Sequence, residues 1–180
     1  MKQALLVIDL QYGPFMRKEY DGKTVYQEDQ LTANIKALAA RARRAGAPVI
    51  FIHHTYGPEM PFMAKGEPLW DIHPGAYPET EDIRLDKLHP DAFQDSGLHE
   101  KLREMGVTDV VITGFSTEAC VDTSCRSAYA HGYGCTLVSD GHSSFGTEAL
   151  SAPQVIAHHN EILSIFAKVL PAEEIWKELG

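Results

Sequence analysis

Residues 107–131, VTDVVITGFSTEACVDTSCRSAYAH, join an apolar run to a stretch of helical spacing. Val110, Val111 and Ile112 read as a short buried strand. After Gly114 the period changes, with Val121, Cys125 and Ala128 on one helical face and Cys120, Ser124 and Ala128 on an adjoining one. The stretch is therefore a strand, a tight turn and a helix. Ser116 and Thr117 are natural caps, which puts Cys120 in the first helical turn, where free backbone N–H groups and the positive end of the dipole favour a thiolate. Free cysteine also commonly fills space in a core, so the rest of the chain must separate nucleophile from filler.

The same grammar repeats to either side. ALLVI at 4–8 is a continuous apolar run ending in Asp9, as expected of a central strand buried on both faces. A Gly-Pro turn is expected at 13 and 14, followed by an irregular segment. Leu31, Ile35, Leu38 and Ala42 then mark a helix with Glu28 and Asp29 at its start and Arg41, Arg43, Arg44 and Gly46 at its end, in accord with the helix dipole. PVIFIHH, 48–54, is the next strand. Residues 55–81 are too rich in Gly, Pro and aromatics to be regular, and connections of that length are usually functional. DIRLDK, 82–87, alternates as a strand, and Ser96 is expected to cap a helix carrying Leu98, Leu102 and Met105. Further strands are expected at 134–139 and 165–169, with a helix through Val155, Ile156, His159 and Ile162 between them and a short one from Pro171. Six strands alternating with helices predict an α/β fold: a doubly wound, six-stranded parallel sheet with helices on both faces, in a single domain over residues 1–180.

Composition limits the partners. The chain has 25 acidic against 16 basic residues, a formal net charge of −9, and no basic stripe longer than Arg41, Arg43, Arg44. Nucleic acid and anionic membrane are thus unfavoured. The N-terminal apolar run, broken by Asp9, is too brief for a signal core or a membrane span, and a cytoplasmic location is expected. Three cysteines without CxxC spacing support neither a disulfide framework nor a zinc ribbon. No GxGxxG or GxxxxGKS follows the first strand, which argues against a nucleotide-binding protein of this architecture.

Sites in doubly wound sheets lie outside the carboxyl ends of the strands, near the switch in strand order. Asp9 ends strand one, Lys87 ends strand three and Cys120 lies just past strand four. Singly, Asp9 reads equally as a turn cap, Lys87 as a solvated cation and Cys120 as filler. Their common edge favours one reactive site.

These residues resemble the isochorismatase-like cysteine hydrolases, which include nicotinamidases and carbamoylsarcosine amidases. ALLVIDLQ with Phe15 is similar to that family's opening strand and aspartate, LDKLHPDAF to its lysine segment, VITGFSTEACVDTSCRSAYAHGY to its nucleophile loop and helix, and GCTLVSDGHSS to the strand and loop that follow. The resemblance covers nearly the whole chain. It implies a hydrolase acting on a carbon–nitrogen bond of a small amide-type molecule through a thioester. Cys120 would be the nucleophile, Asp9 the proton carrier and Lys87 the balancing cation, with no cofactor. It further implies an oxyanion hole from the backbone N–H groups of Ser116 and Cys120, a cis peptide at Phe115–Ser116, and a homo-oligomer. Burial by a partner chain is expected for some of Met60, Phe62, Met63, Leu69 and Trp70.

Metal-binding nicotinamidases carry an aspartate and histidines after strand two, where this chain has His54, Tyr56 and His73. His53, His54 and His73 are zinc ligands by type but lack tight spacing, and no metal is expected. Phe15 and Trp70 are candidate walls for a flat substrate, or else core packing. The alternatives to an amidase are a vinyl-ether hydrolase of the same family, which works without a cysteine nucleophile, and an idle scaffold.

Overall fold

The computed structural model describes residues 1–57 and 63–177. Its strands are β1 Gln3–Ile8, β2 Val49–His54, β3 Ile83–Lys87, β4 Asp109–Phe115, β5 Gly134–Ser143 and β6 Lys168–Leu170. They form one sheet in the order β3-β2-β1-β4-β5-β6, and every neighbouring pair is parallel. From β1 the chain winds to one edge, returns to β4 on the other side of β1, and winds to the opposite edge. The switch lies between β1 and β4, where a doubly wound sheet opens a crevice.

Alternate residues of β1 feed two separate cores. Leu5 and Val7 pack with Phe51 and Val111 under α3 (Glu28–Arg44), whose Leu31, Ile35, Leu38 and Ala42 recur at helical spacing. Each such fully buried Leu or Ile contributes roughly 1.5–3 kcal/mol. Leu6 and Ile8 pack with Ile52 and Ile112 under α4 (Leu98–Glu104) and α5 (Asp122–Ala130), joined by Ile162 at the end of α6 (Ala152–Ile162). A strand with apolar side chains on both faces needs no alternation, which is why ALLVI reads as a continuous run.

Backbone approach at the switch explains one glycine. Gly114 has φ +127°, and a Cβ there would stand 2.0 Å from the Ile8 carbonyl oxygen. Any side chain would push β4 off β1 at the point where the crevice opens.

Several local expectations are corrected. Gly13 and Pro14 lie inside a short helix, α1 (Tyr12–Phe15), because proline's missing N–H falls in a first turn that has no use for it. A second short helix, α2 (Lys18–Asp21), follows. Ser96 stands one residue before the cap position, which Gly97 occupies with φ +75°, yet its Oγ still accepts the Leu98 N–H at 3.1 Å. The last strand is Lys168–Leu170 rather than 165–169, since Leu163–Ile165 is a 3₁₀ turn and Ile165 is exposed. The turn after Pro171 is a single 3₁₀ turn, Ala172–Glu174, with Pro171 before it. β5 continues to Ser143 past a register shift against β4 between Ile112 and Gly114.

The long connection is tied back at two points, Gln11 pairing with Ile72 and Tyr56 with Ala64. Of the apolar residues expected to meet a partner chain, Met60 and Phe62 lie outside the described residues. Met63 is buried within the chain itself, and Leu69 and Trp70 are half-buried. Among the described residues no helix is long and apolar enough to cross a membrane.

Candidate active site

Four strand ends bring the site together. Asp9 follows β1 in a left-handed conformation, φ 49°, uncommon for a residue with a side chain, and its N–H donates to the Ile52 carbonyl at 2.9 Å. Lys87 closes β3 in register with His54 at the end of β2. Beyond β4 the Phe115–Ser116 peptide is cis, and Thr117–Val121 forms a single π turn before α5 begins. Cys120 sits in that turn. Single π turns inside helices recur at functional sites, where they redirect a side chain.

Lys87 is the hub. Its side chain is fully buried, and Nζ lies 2.8 Å from Asp9 Oδ2, 2.9 Å from His54 Nδ1, 3.0 Å from the His89 carbonyl oxygen and 3.4 Å from Cys120 Sγ. An ammonium has three protons, so these four acceptors saturate it and fix its position. The other Asp9 oxygen, Oδ1, is buried without a hydrogen-bond partner. The ligand-type atoms of Asp9, His54 and Cys120 all fall within 4.8 Å of one another. Burial pushes the Asp9 carboxyl above the usual carboxylate range, against the opposing pull of Lys87 and the Cys120 thiol.

The thiol itself departs from expectation. Burial, reinforced by Asp9 and only partly countered by Lys87, pushes Cys120 up to about 12. The helix start therefore does not yield a standing thiolate, because desolvation outweighs a few oriented N–H groups. Cys120 rests as a thiol beside Asp9. His54 is pushed down to about 4, by burial first and then by Lys87, and is neutral.

Gln11 was not legible as a site residue. It is wholly buried, donates Nε2 to the His54 carbonyl at 2.9 Å and the Trp70 carbonyl at 2.7 Å, and accepts the His54 N–H on Oε1 at 2.7 Å. One side chain thus takes the place of β1 beyond that strand's end and holds His54, the last residue of β2, against Lys87. On the other flank, Thr117 Oγ1 anchors the π turn to the Ser143 carbonyl at 2.9 Å and to His142 Nδ1 at 2.8 Å.

Next to Cys120 opens a cavity of about 260 Å³, walled by Met63, Phe115, Phe145, Tyr56 and Pro14, with Asp9, His54, Arg17, Ser116 and Ala119 completing it. Phe15 and Trp70 do not line it. Phe15 is core, packed on Phe115 and His73, and Trp70 stacks on His53 at 4.5 Å with Nε1 donating to Thr55. Their walls are supplied by Phe115 and Phe145, which meet edge to face at 4.8 Å. Phe145 follows β5 at the same sheet edge, so the rule that sites lie beyond strand ends was a usable signal for it.

The three candidate histidines do not converge. His53 lies against Trp70, His73 Nε2 pairs with Glu28 at 3.1 Å, and His54 faces Lys87. Among the described residues the one group spaced for a metal is Asp9, His54 and Cys120. Lys87 Nζ stands among those three side chains, so a cation already fills the place a metal would need.

Comparison with known proteins agrees with this architecture. Residues 3–174 match the isochorismatase domain model. The uncharacterized isochorismatase family protein YddQ of Bacillus subtilis is 31% identical, over 97% of this chain and 87% of its own length. The ureidoacrylate amidohydrolase RutB of Pseudomonas syringae is 25% identical, over 81% of this chain and 72% of its own. A crystal structure of an isochorismatase family protein superposes with a TM-score of 0.84 at 30% identity, covering 93% of this chain and 97% of that one. With family model, relatives and sheet order in agreement, the chain belongs to the isochorismatase family of hydrolases.

Proposed function

We propose that this chain is a cysteine hydrolase that cleaves a carbon–nitrogen bond of a small amide-type molecule through a thioester on Cys120. The observation that carries the reading is the placement of buried Lys87 between the Asp9 carboxylate and the Cys120 thiol, 2.8 Å from one and 3.4 Å from the other, beside a cavity. The relationship to an enzyme named as an amidohydrolase supports the bond type.

Proton transfer from Sγ to Asp9 Oδ1 converts a carboxylate and a thiol into a carboxylic acid and a thiolate. The net charge of the buried cluster does not change. That matters where a new charge would go unsolvated, and Lys87 is already in place for the thiolate. The raised Asp9 carboxyl favours accepting the proton, while the raised thiol opposes giving it up, so transfer belongs with attack on the carbonyl rather than before it. Sulfur bonds to the carbonyl carbon, and the backbone N–H groups of Ser116 and Cys120 receive the oxyanion. Asp9 hands its proton to the departing nitrogen, the carbon–nitrogen bond breaks, and a thioester remains. Water then attacks, giving its proton to Asp9. The carbon–sulfur bond breaks, the acid leaves, and Asp9 returns the proton to sulfur.

An ammonia-release screen over amides, ureas and carbamoyl compounds tests the proposal. Release by the native chain and none by Cys120→Ala is the expected result. Release that persists in Cys120→Ala would end the thioester mechanism.

A further inference from the structure

The cavity beside Cys120 has a cation in its wall that the proposed chemistry does not use. Asp9 is paired with Lys87, and His54 and Cys120 are neutral, so among the described lining residues Arg17 is the cation without a counter-ion in the lining itself. Its counter-ion, Asp21, is not part of the lining. Nε and Nη2 of Arg17 both reach the same Asp21 oxygen, Oδ2, and the rest of the guanidinium fork has no hydrogen-bond partner among the described residues. The guanidinium lies over the Phe145 ring, 5.0 Å from its centroid, and so is held at the wall by an aromatic that is itself a wall. The Arg17–Asp21 pair is partly exposed, with side-chain exposures of 36% and 35%, the kind of ion pair that yields readily to a competing carboxylate.

We propose that this pocket reads an anionic oxygen group: its substrate is a small amide-type molecule bearing a carboxylate, which Arg17 binds while the short apolar stem lies between Phe115, Phe145 and Met63. The proposal rests on the reading of Cys120 as nucleophile and adds the substrate class. An arginine suits it better than a lysine would, since the fork matches a carboxylate in two parallel hydrogen bonds. In a chain of net charge −9, a lone cationic wall also concentrates the anions that the rest of the surface repels.

The test is alkylation of Cys120 by iodoacetate and by iodoacetamide, two reagents of nearly the same size that differ in charge, read as a ratio of rates. The ratio should fall about two- to fivefold in Arg17→Gln, the range of one charged contact made in partly exposed surroundings. It should fall less in Arg17→Lys. Asp21→Asn should move it the other way, by freeing Arg17 of its competitor, an increase that misfolding would not produce. Equal ratios in all four proteins would overturn the proposal. Carboxylate-bearing and neutral amides are then compared in the ammonia assay. Charge selectivity in alkylation without turnover of any amide would leave the anion site standing and remove the amidase reading. Turnover with no preference for the carboxylate, in the native chain and in Arg17→Gln alike, would do the reverse.

Discussion

Cys120 and Cys125 stand five residues apart, and burial pushes both thiols up to about 12. By that measure they are the same residue. Their neighbours differ. Cys125 is fully buried in the core with Leu98, Leu102 and Ala128, and the charges that act on it are Cys135, Asp122 and Arg126. Cys120 is half-buried at a cavity with Lys87 at 3.4 Å and a carboxylate whose free oxygen has no partner. The contrast teaches that thiol pKa does not separate the two cysteines. What separates them is a proton acceptor and a resident cation within reach of Cys120, so that under the proposed mechanism its thiolate would form only as it is consumed.

The largest effect should come from exchanging the two. Cys120→Ala is expected to bring turnover to background and to abolish covalent trapping, with an unchanged circular dichroism spectrum. Cys125→Ala should keep native turnover and lose about 1 kcal/mol of stability, the scale of a small group deleted from a core. Loss of turnover in Cys125→Ala at matched stability, measured by urea unfolding, would dissolve the contrast.

Next in size are the partners. Asp9→Asn removes the proton acceptor and keeps the shape, and turnover should fall at least ~10²-fold, in line with general base catalysis. Lys87→Met takes the cation from beside both sulfur and carboxylate. The alkylation rate of Cys120 should fall in both variants, and in Lys87→Met its pH profile should move upward. Identical alkylation of the native chain, Asp9→Asn and Lys87→Met would separate the three side chains functionally, whatever their distances.

Much of this is legible in the sequence, for physical reasons. Continuous apolar runs at 4–8 and 110–112 identify strands buried on both faces, and Asp9, Lys87 and Cys120 each terminate or follow a strand, so topology alone puts them on one edge. The cavity walls were not legible. Whether Phe15 or Phe115 faces substrate depends on which side of the β1–β4 switch each ring falls, and no period in the sequence encodes it. Gln11 was hidden for another reason. Its hydrogen bonds reach His54 and Trp70, 43 and 59 residues away, and a buried amide spanning such separations leaves no local pattern. The thiol's upward shift is not legible either, because a helix start is visible in sequence and desolvation is not.

The smallest predicted effect concerns two buried histidines that repeat the contrast between the cysteines. His54 and His142 are both pushed down to about 4, in each case by burial first. His142 has both ring nitrogens engaged, Nδ1 with Thr117 Oγ1 at 2.8 Å and Nε2 with Asn160 Oδ1 at 3.0 Å. His54 has Nδ1 on Lys87 and a buried Nε2 without a partner. Asn160 donates its Nδ2 to the Ser139 carbonyl, so its oxygen accepts from His142 Nε2–H, and Nδ1 of the neutral ring shares the single Thr117 hydroxyl proton with the Ser143 carbonyl. Each histidine binds a proton in the unfolded chain below about pH 6.5 and none in the folded chain until near pH 4, so the unfolded state gains protons over that window. Stability is therefore fully present above pH 6.5 and is lost as pH falls towards 4. Between pH 7 and pH 5 the loss should be about 2 kcal/mol per histidine at most. His142→Gln should flatten the urea-unfolding midpoint against pH over that range by one histidine's share, whatever it does to the midpoint at pH 7. His54→Gln should flatten it similarly, and should also slow alkylation of Cys120, because it alone of the two touches Lys87. A slope unchanged in His142→Gln would mean that His142 takes up a proton in the folded chain as readily as in the unfolded one, and the neutral Thr117–His142–Asn160 link behind the π turn that carries Cys120 would have to be given up.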